Sequence, residues 1–178
     1  YNINKNIIIK NNLNVRYEYA KANGLSANKK RFNNSWLVGL TQKYNRITID
    51  VLNRFLMVGS EQEFFAPNIN ILYQLLKKKD LYLKANKGIN YHYPTFNDLF
   101  WVQGGDANLK PEESKMAEVG MLYKQTNRLM NTKTELTTFY NYVTNWIIWL
   151  PTEFGYWQPK NLQEVENKGI EASIEISS

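Results

Sequence analysis

The sequence contains no cysteine and a single histidine, His92. The absence of cysteine excludes a disulfide framework and a thiolate metal site, and one histidine excludes a multi-histidine metal centre. No nucleophile stands beside a recognisable base, and carboxylate pairs such as Glu112 with Glu113 lie in polar stretches. We therefore expect no enzyme, no resident metal and no cofactor.

Long apolar runs are also missing. No stretch reaches the about 20 apolar residues that a transmembrane helix needs. The opening residues, Tyr-Asn-Ile-Asn-Lys, do not form a basic leader followed by an apolar core, so we expect no signal peptide here. Because the sequence opens in mid-pattern, we expect it to be a segment of a longer protein.

Lysine and arginine outnumber the acidic residues and give a net charge of +6. These residues are scattered, and the one short basic run, Lys77 to Lys79, is not part of a basic helix or a zinc-finger spacing. A solvated surface explains this charge better than a nucleic acid partner does. We therefore expect no nucleic acid.

Apolar and polar residues alternate strictly over long stretches, which is typical of β-strands with one apolar face. Residues 6–20 alternate in this way, and residues 115–123 and 169–177 repeat the pattern. An amphipathic helix would instead repeat apolar residues three and four positions apart. The apolar face of the first stretch holds Ile7, Ile9, Leu13, Val15, Tyr17 and Tyr19.

The whole chain predicts an all-β fold of about eight antiparallel strands in up-and-down order. Short turns alternate with longer loops, an asymmetry typical of outer-membrane barrels. Several predicted strands reach about 10 residues, the length that a tilted strand needs to cross a bilayer. The predicted turns are 44–46, 77–80 and 125–131, and the predicted loops are 21–34, 59–67, 91–114 and 151–161.

Two folds satisfy this pattern: a membrane barrel, and a soluble β-sandwich that acts as a carbohydrate-binding or adhesin-like module. Alternation alone says that one face is covered, not that lipid covers it. In a sandwich the apolar side chains of different strands converge, whereas in a barrel they point outward as a belt. The side chains that decide between the two are Ile7, Val38, Val51, Ile71 and Ile174.

Aromatic residues in the predicted loops 91–114 and 151–161 are the candidate ligand-binding residues, because recognition tends to lie on loops that a rigid scaffold carries. Stacked rings suit a large, partly apolar ligand, although such rings also pack loops or form interfacial girdles. Asn97, Asp98 and Asp106 could bind calcium or make Asx turns. The candidate ring residues are Tyr91, His92, Tyr93, Phe96, Phe100, Trp101, Phe154, Tyr156 and Trp157.

Three stretches carry recognisable motifs: 93–101 (YPTFNDLFW), 104–120 (GGDANLKPEESKMAEVG) and 147–173 (IIWLPTEFGYWQPKNLQEVENKGIEAS). They resemble the C-terminal part of the barrel of TonB-dependent outer-membrane receptors, in the cobalamin-receptor-like branch of Bacteroidetes type. The family pattern has Pro-Thr-x-x-(Asp/Glu)-Leu, then Asn-x-x-Leu-x-Pro-Glu-x-Ser before a strand, then a tryptophan-rich loop before Asn and Lys-Gly-Ile-Glu.

This resemblance implies active uptake of a scarce nutrient, such as a corrinoid or siderophore-bound iron, across a bacterial outer membrane. A complete receptor of this family resembles a roughly 22-stranded barrel with an N-terminal plug. No plug domain or TonB box is recognised in residues 1–178. We therefore expect residues 1–178 to be part of the barrel domain. The implied partners are outer-membrane lipid, the rest of the barrel and its plug, the TonB system, the nutrient and a surface lipoprotein. The plug-bearing family disfavours a passive porin.

Overall fold

The computed structural model describes residues 2–4, 6–59, 62–77, 79–127 and 130–177. These residues form one nine-stranded antiparallel sheet in which each strand pairs with its neighbours in sequence. The strands are β1 (Asn2–Asn4), β2 (Ile7–Ala20), β3 (Lys29–Tyr44), β4 (Ile47–Val58), β5 (Gln62–Gln74), β6 (Asp80–His92), β7 (Glu112–Thr126), β8 (Asn131–Pro151) and β9 (Trp157–Ser177). One short helix, α1 (Phe96–Phe100), lies between β6 and β7.

The predicted all-β, up-and-down architecture is confirmed. Eight long strands, β2 to β9, follow the short strand β1. The turn between β3 and β4 consists of Asn45 and Arg46, and Asn45 has a positive φ of 51°. Asparagine tolerates this left-handed conformation, which two-residue hairpin turns require. The conformation of this turn and the alternation of the strands therefore agree on the up-and-down order.

The predicted loop over residues 21–34 is wrong for its second half, because β3 begins at Lys29. Strand β2 continues to Ala20, and residues 29–34 pair with its last residues in the β2–β3 ladder. Tyr17 pairs with Phe32, and Glu18 pairs with Arg31. An ion pair and an aromatic contact therefore make a strand of a stretch that looks loop-like in sequence.

The predicted loop over residues 59–67 is wrong in a similar way, since β5 begins at Gln62. Phe65 lies opposite Phe55, with ring centroids 5.2 Å apart. The other predicted loops and turns are shorter than predicted because the flanking strands extend into them. Residues 91–92, 112–114, 125–126, 151 and 157–161 all belong to strands.

One face of the sheet is apolar and lies open. Val51 and Ile71 are each 37% exposed on it, and Ile174 is 70% exposed. Ile7 and Val38 share this face by strand register. The five side chains do not converge on a second layer, because the described residues form a single sheet. This arrangement favours the barrel over the soluble sandwich.

The opposite, polar face carries ion pairs and amides. Lys10 Nζ donates to Asp50 Oδ1 and Oδ2 at 2.8 and 2.9 Å, and Thr41 Oγ1 donates to Asp50 Oδ1 at 2.5 Å. Further along the face, Lys84 pairs with Glu135. Cross-strand contacts of this kind satisfy polar groups beside the backbone ladder. Such a face suits an aqueous or protein-filled interior.

Candidate ligand-binding site at the loop end of the sheet

The connections 21–28, 93–111 and 152–156 lie at one end of the sheet, which we call the loop end. The connection 93–111 is the longest and contains α1. Up-and-down order brings the ends of β2, β6 and β8 to this side. The loop end therefore carries the candidate aromatic residues.

Asp98 fixes helix α1 to strand β8. Its Oδ2 accepts from Thr95 N and Thr95 Oγ1, both at 2.7 Å, and completes a capping box. Its Oδ1 accepts from the indole Nε1 of Trp149 at 2.9 Å. Asp98 is only 8% exposed, and a buried carboxylate needs such donors. Both carboxylate oxygens are thus engaged in local structure.

Trp101 joins α1 to the connection 21–28. Ser26 N donates to Phe100 O at 3.1 Å, and Val102 N donates to Gly24 O at 2.9 Å. A Cβ atom built on Gly24 would lie 2.0 Å from the Trp101 ring. Only glycine leaves room for this ring, so the two loops interlock.

Asn161 holds the far end of the long connection. Its Oδ1 accepts from Lys110 N at 2.8 Å, and its Nδ2 donates to Lys110 O at 3.0 Å. The same Nδ2 donates to Asn145 O at 2.6 Å. The connection 93–111 is therefore tied to β9 as well as to β8 and the first loop.

Arg31 supports the start of this connection from below. Its NH1 donates to Pro94 O at 2.8 Å, and its NH2 lies 2.8 Å from Glu18 Oε2. The guanidinium lies 4.9 Å from the centroid of the Phe96 ring. A planar guanidinium can bond and stack at once, which lysine cannot do equally well.

Sequence reasoning did not find Glu18, Arg31 and Trp149 as supports of the site. Arg31 fell in a stretch that was predicted to be a loop, and its pairing depends on the register of β2 with β3. Trp149 and Asp98 are 51 positions apart in sequence. Phe32 continues the alternation of Trp36, Val38 and Leu40, and this signal could have extended β3 back to Arg31.

The nine candidate ring residues form separate groups and not one cluster. Phe96, Phe100 and Trp101 pack α1 against its supports, and Lys29 Nζ lies 3.8 Å from the centre of the Phe100 ring. Phe154 and Tyr156 stack with centroids 6.3 Å apart. These two groups lie in different connections.

Tyr91 and Tyr93 form the third group, on Phe64. Their ring centroids lie 4.8 and 5.1 Å from that of Phe64. Burial raises the pKa of the Tyr93 hydroxyl, and Tyr91 nearby raises it further, so Tyr93 remains a hydrogen-bond donor. The residues left open to solvent are His92, Phe154, which is 83% exposed, and Trp157.

The carboxylate of Asp106 serves an Asx turn, because its Oδ1 accepts from Asn108 N at 2.8 Å. In the part of the chain that the structure describes, no group of three or more histidine, aspartate or glutamate side chains is placed to hold a metal ion. Among the same residues, no helix is both long and apolar enough to cross a membrane.

The sequence matches a family model described as TonB dependent receptor-like, beta-barrel, over residues 5–177. The chain belongs to this family. Its proteins reside in the outer membrane of Gram-negative bacteria, which confirms the predicted localisation. The prediction that the chain is not an enzyme is confirmed at the level of the family, whose matched members are named as transporters and receptors.

Two curated relatives are similar to about half of the chain. The vitamin B12 transporter BtuB of Photobacterium profundum is 38% identical over 96 residues, which are 52% of this chain and 15% of that protein. BtuB of Vibrio vulnificus is 38% identical over 88 residues, which are 49% of this chain and 14% of that protein. The chain therefore matches only a small part of these relatives.

Solved structures confirm the fold. The siderophore receptor PirA from Pseudomonas aeruginosa superposes with a TM-score of 0.80 at 16% identity, over 93% of this chain and 32% of that one. The FrpB iron transporter from Neisseria meningitidis gives a TM-score of 0.72 at 11% identity, over 99% of this chain and 31% of that one. The sheet thus matches about a third of the length of each of these receptor chains.

Proposed function

We propose that residues 1–178 form part of the barrel domain of a TonB-dependent transporter, which takes up a scarce nutrient across the outer membrane. The observation that carries this proposal is the family match over residues 5–177. The open apolar face supports it, because lipid is the natural cover for a belt of exposed apolar side chains on a barrel. In this family the apolar face is the lipid face and the polar face lines the interior.

We infer a corrinoid, siderophore-bound iron or a similar large ligand as the nutrient. The relatives named as vitamin B12 transporters support the cobalamin-receptor-like branch, and the motifs in residues 93–101 and 104–120 favour its Bacteroidetes form. The partners that this function requires are outer-membrane lipid, the remaining barrel, a plug and the TonB system. A surface lipoprotein is a further proposed partner at the loop end.

The proposed ligand contacts are the nine ring residues at the loop end, divided by exposure into two roles. His92, Phe154 and Trp157 are exposed and would touch the ligand directly. The packed rings of Phe96, Phe100 and Trp101 would hold the loop in shape, as would Tyr91, Tyr93 and Tyr156. Exposed aromatic rings on a rigid support bury much apolar area at low entropic cost.

Uptake by the full-length receptor in a receptor-deficient Gram-negative host tests this proposal, with cyanocobalamin and ferric enterobactin as probes. We expect one probe to be taken up, and the double variant Phe154→Ala, Trp157→Ala to weaken its binding by about tenfold or more, because both ring contacts are lost. The matched control is Val102→Ala, which also shortens an exposed apolar side chain of a loop. If neither probe is taken up, the proposed transport of such a nutrient is contradicted. If the double variant and the control bind the probe equally well, the proposed ligand contacts are contradicted.

A further inference from the structure

The ladder between β5 and β6 ends before its strands do. Its last pair towards the loop end is Asn68 with Gly88, although β5 begins six residues earlier and β6 continues for four residues more. At each other junction between neighbouring strands from β2 to β9, the described residues pair to within one residue of the loop end of at least one strand. We call the unpaired gap between residues 62–67 and 89–92 the seam.

Pro67 explains why the ladder ends at this point. Leu75 N donates to Leu81 O at 2.8 Å, so Leu75 directs its backbone groups towards β6. Alternate residues of a regular strand do the same, and Pro67 lies an even number of positions from Leu75. The next pair due to exchange hydrogen bonds is therefore Pro67 with Ile89. Proline has no N–H to donate, and for this reason it is normally excluded from the interior of a sheet.

Aromatic side chains occupy the seam in place of backbone hydrogen bonds. By register, Phe64 lies on the polar face with Leu56, whereas Tyr91 lies on the apolar face with Glu113. Their ring centroids are nevertheless 4.8 Å apart. A continuous ladder keeps the side chains of opposite faces apart, so this contact passes through the seam. The wall is therefore closed here by side chains alone.

A groove of about 620 Å³ opens on the polar face beside the seam. Its lining includes Ile89, which belongs to the apolar face by its register with Lys115, so the groove reaches into the seam. Leu37, Leu52 and Leu56 line it from the polar face, alongside asparagine and arginine side chains. Apolar surface thus continues from the outer face of the sheet to its inner face.

Exposed aromatic rings flank the outer mouth of the seam. Trp36, Phe55 and Phe65 lie directly opposite one another on β3, β4 and β5, and they are 49%, 46% and 48% exposed. Aromatic residues on the outer face of a membrane barrel form girdles where the hydrocarbon layer meets the lipid headgroups. The seam therefore opens at the level of the outer leaflet.

We infer that the seam is a lateral lipid-binding site, in which an acyl chain of an outer-leaflet lipid passes between β5 and β6 and reaches the leucine-lined part of the groove. An acyl chain suits this site because it is narrow, flexible and apolar, and its burial against leucine and aromatic side chains is favourable. The inference rests on one part of the proposed function, namely that the apolar face meets lipid.

Fluorescence quenching by lipids with brominated acyl chains tests the inference in the full-length receptor, reconstituted in vesicles. The chain has no cysteine, so Leu56→Cys can carry a bimane label in the groove, and Leu52→Cys provides a second groove position. The control is Asn141→Cys, which also points inward but lies on a strand that is paired at this residue on both sides. We expect about threefold stronger quenching at residue 56 than at residue 141, because only the seam admits a chain through the wall.

Closing the seam provides the second arm of the test. Pro67→Val supplies the missing N–H and should extend the ladder to Ile89, which lowers quenching at residue 56 about threefold. The matched control is Ile69→Val, which alters the next residue on the same face of β5 without changing a backbone donor.

A label at Ile71→Cys, on the apolar face, separates this inference from the proposed function. If residue 71 is quenched while residues 52 and 56 are quenched no more than residue 141, the lipid face stands and the seam inference is overturned. Unchanged quenching at residue 56 in Pro67→Val would overturn it as well. If residue 71 itself is not quenched, the assignment of the apolar face to lipid fails and the inference fails with it.

Discussion

Asp98 accepts hydrogen bonds from two separate parts of the chain, the start of α1 and the indole of Trp149. The carboxylate thereby joins the long connection 93–111 to strand β8 across 51 positions of sequence. Hydrogen bonds to a charged group contribute about 1.5–3 kcal/mol each, more than neutral ones do. At the scale of single residues, this carboxylate holds the loop end together.

Replacing Asp98 by alanine should therefore release the connection 93–111 without unfolding the sheet. We expect amide hydrogen exchange of this connection in the full-length receptor to accelerate by about tenfold or more. Residues 24–26 should follow, because they bond to Phe100 and Val102. The control Asp80→Ala removes a carboxylate that accepts from Tyr82 at the opposite end of the sheet. Unchanged protection in Asp98→Ala would contradict this role.

A double-mutant cycle tests whether the Asp98–Trp149 bond itself carries the effect. Trp149→Phe keeps an aromatic ring and removes the indole donor. If the bond at 2.9 Å couples the two residues, the effects of Asp98→Ala and Trp149→Phe on exchange should be clearly less than additive. Fully additive effects would show that each residue acts through other contacts.

At the scale of the element, each long strand has an apolar face and a polar face, which we propose meet lipid and the barrel interior respectively. Ile71 and Leu72 are adjacent in the last third of β5 and point to opposite faces. Ile71 is 37% exposed on the apolar face, whereas Leu72 lies beside polar-face residues such as Asp50 and Lys84. The two positions therefore form a matched pair with opposite surroundings.

We expect Ile71→Arg to destabilise the barrel by up to about 2–4 kcal/mol, because an arginine on the lipid face is costly and costs most at the middle of the bilayer. Leu72→Arg should cost markedly less, since its side chain enters the interior. Folding into lipid vesicles, followed by the mobility of unheated barrels on gels, measures both variants of the full-length receptor. Equal losses at the two positions would contradict the assignment of the faces.

Much of this fold could be predicted from sequence because alternation is a local signal. The apolar set from Ile7 to Tyr19 predicted the apolar face of β2, and Ile170 to Ile176 predicted that of β9. Strand ends were harder, since residues 29–34 are rich in lysine, arginine and asparagine. They form a strand because β2 supplies partners such as Glu18 for Arg31.

The site was predictable only in part. Its aromatic residues stand out in sequence, whereas the capping box that Thr95 forms with Asp98 was not predicted. Which rings pack and which remain open depends on distant contacts, such as that of Trp101 with Gly24.

At the scale of the whole molecule, we propose that the sheet is one part of a closed wall. It corresponds to 32% of the PirA chain, and β9 pairs only with β8 among the described strands. An open strand edge invites further pairing, and barrels remove such edges by closure. The isolated segment should therefore require detergent, partner strands or self-association to remain in solution.

The central claim is that the apolar face meets lipid, and spin labels on strand β5 test it most directly. The chain contains no cysteine, so single cysteines can be introduced at positions 68 to 73 of the full-length receptor without competing thiols in this stretch. In lipid vesicles, labels at 69, 71 and 73 should be readily accessible to oxygen, and those at 68, 70 and 72 should not, giving a period of two. Equal accessibility at all six positions, or low accessibility at 69, 71 and 73, would show that protein and not lipid covers this face.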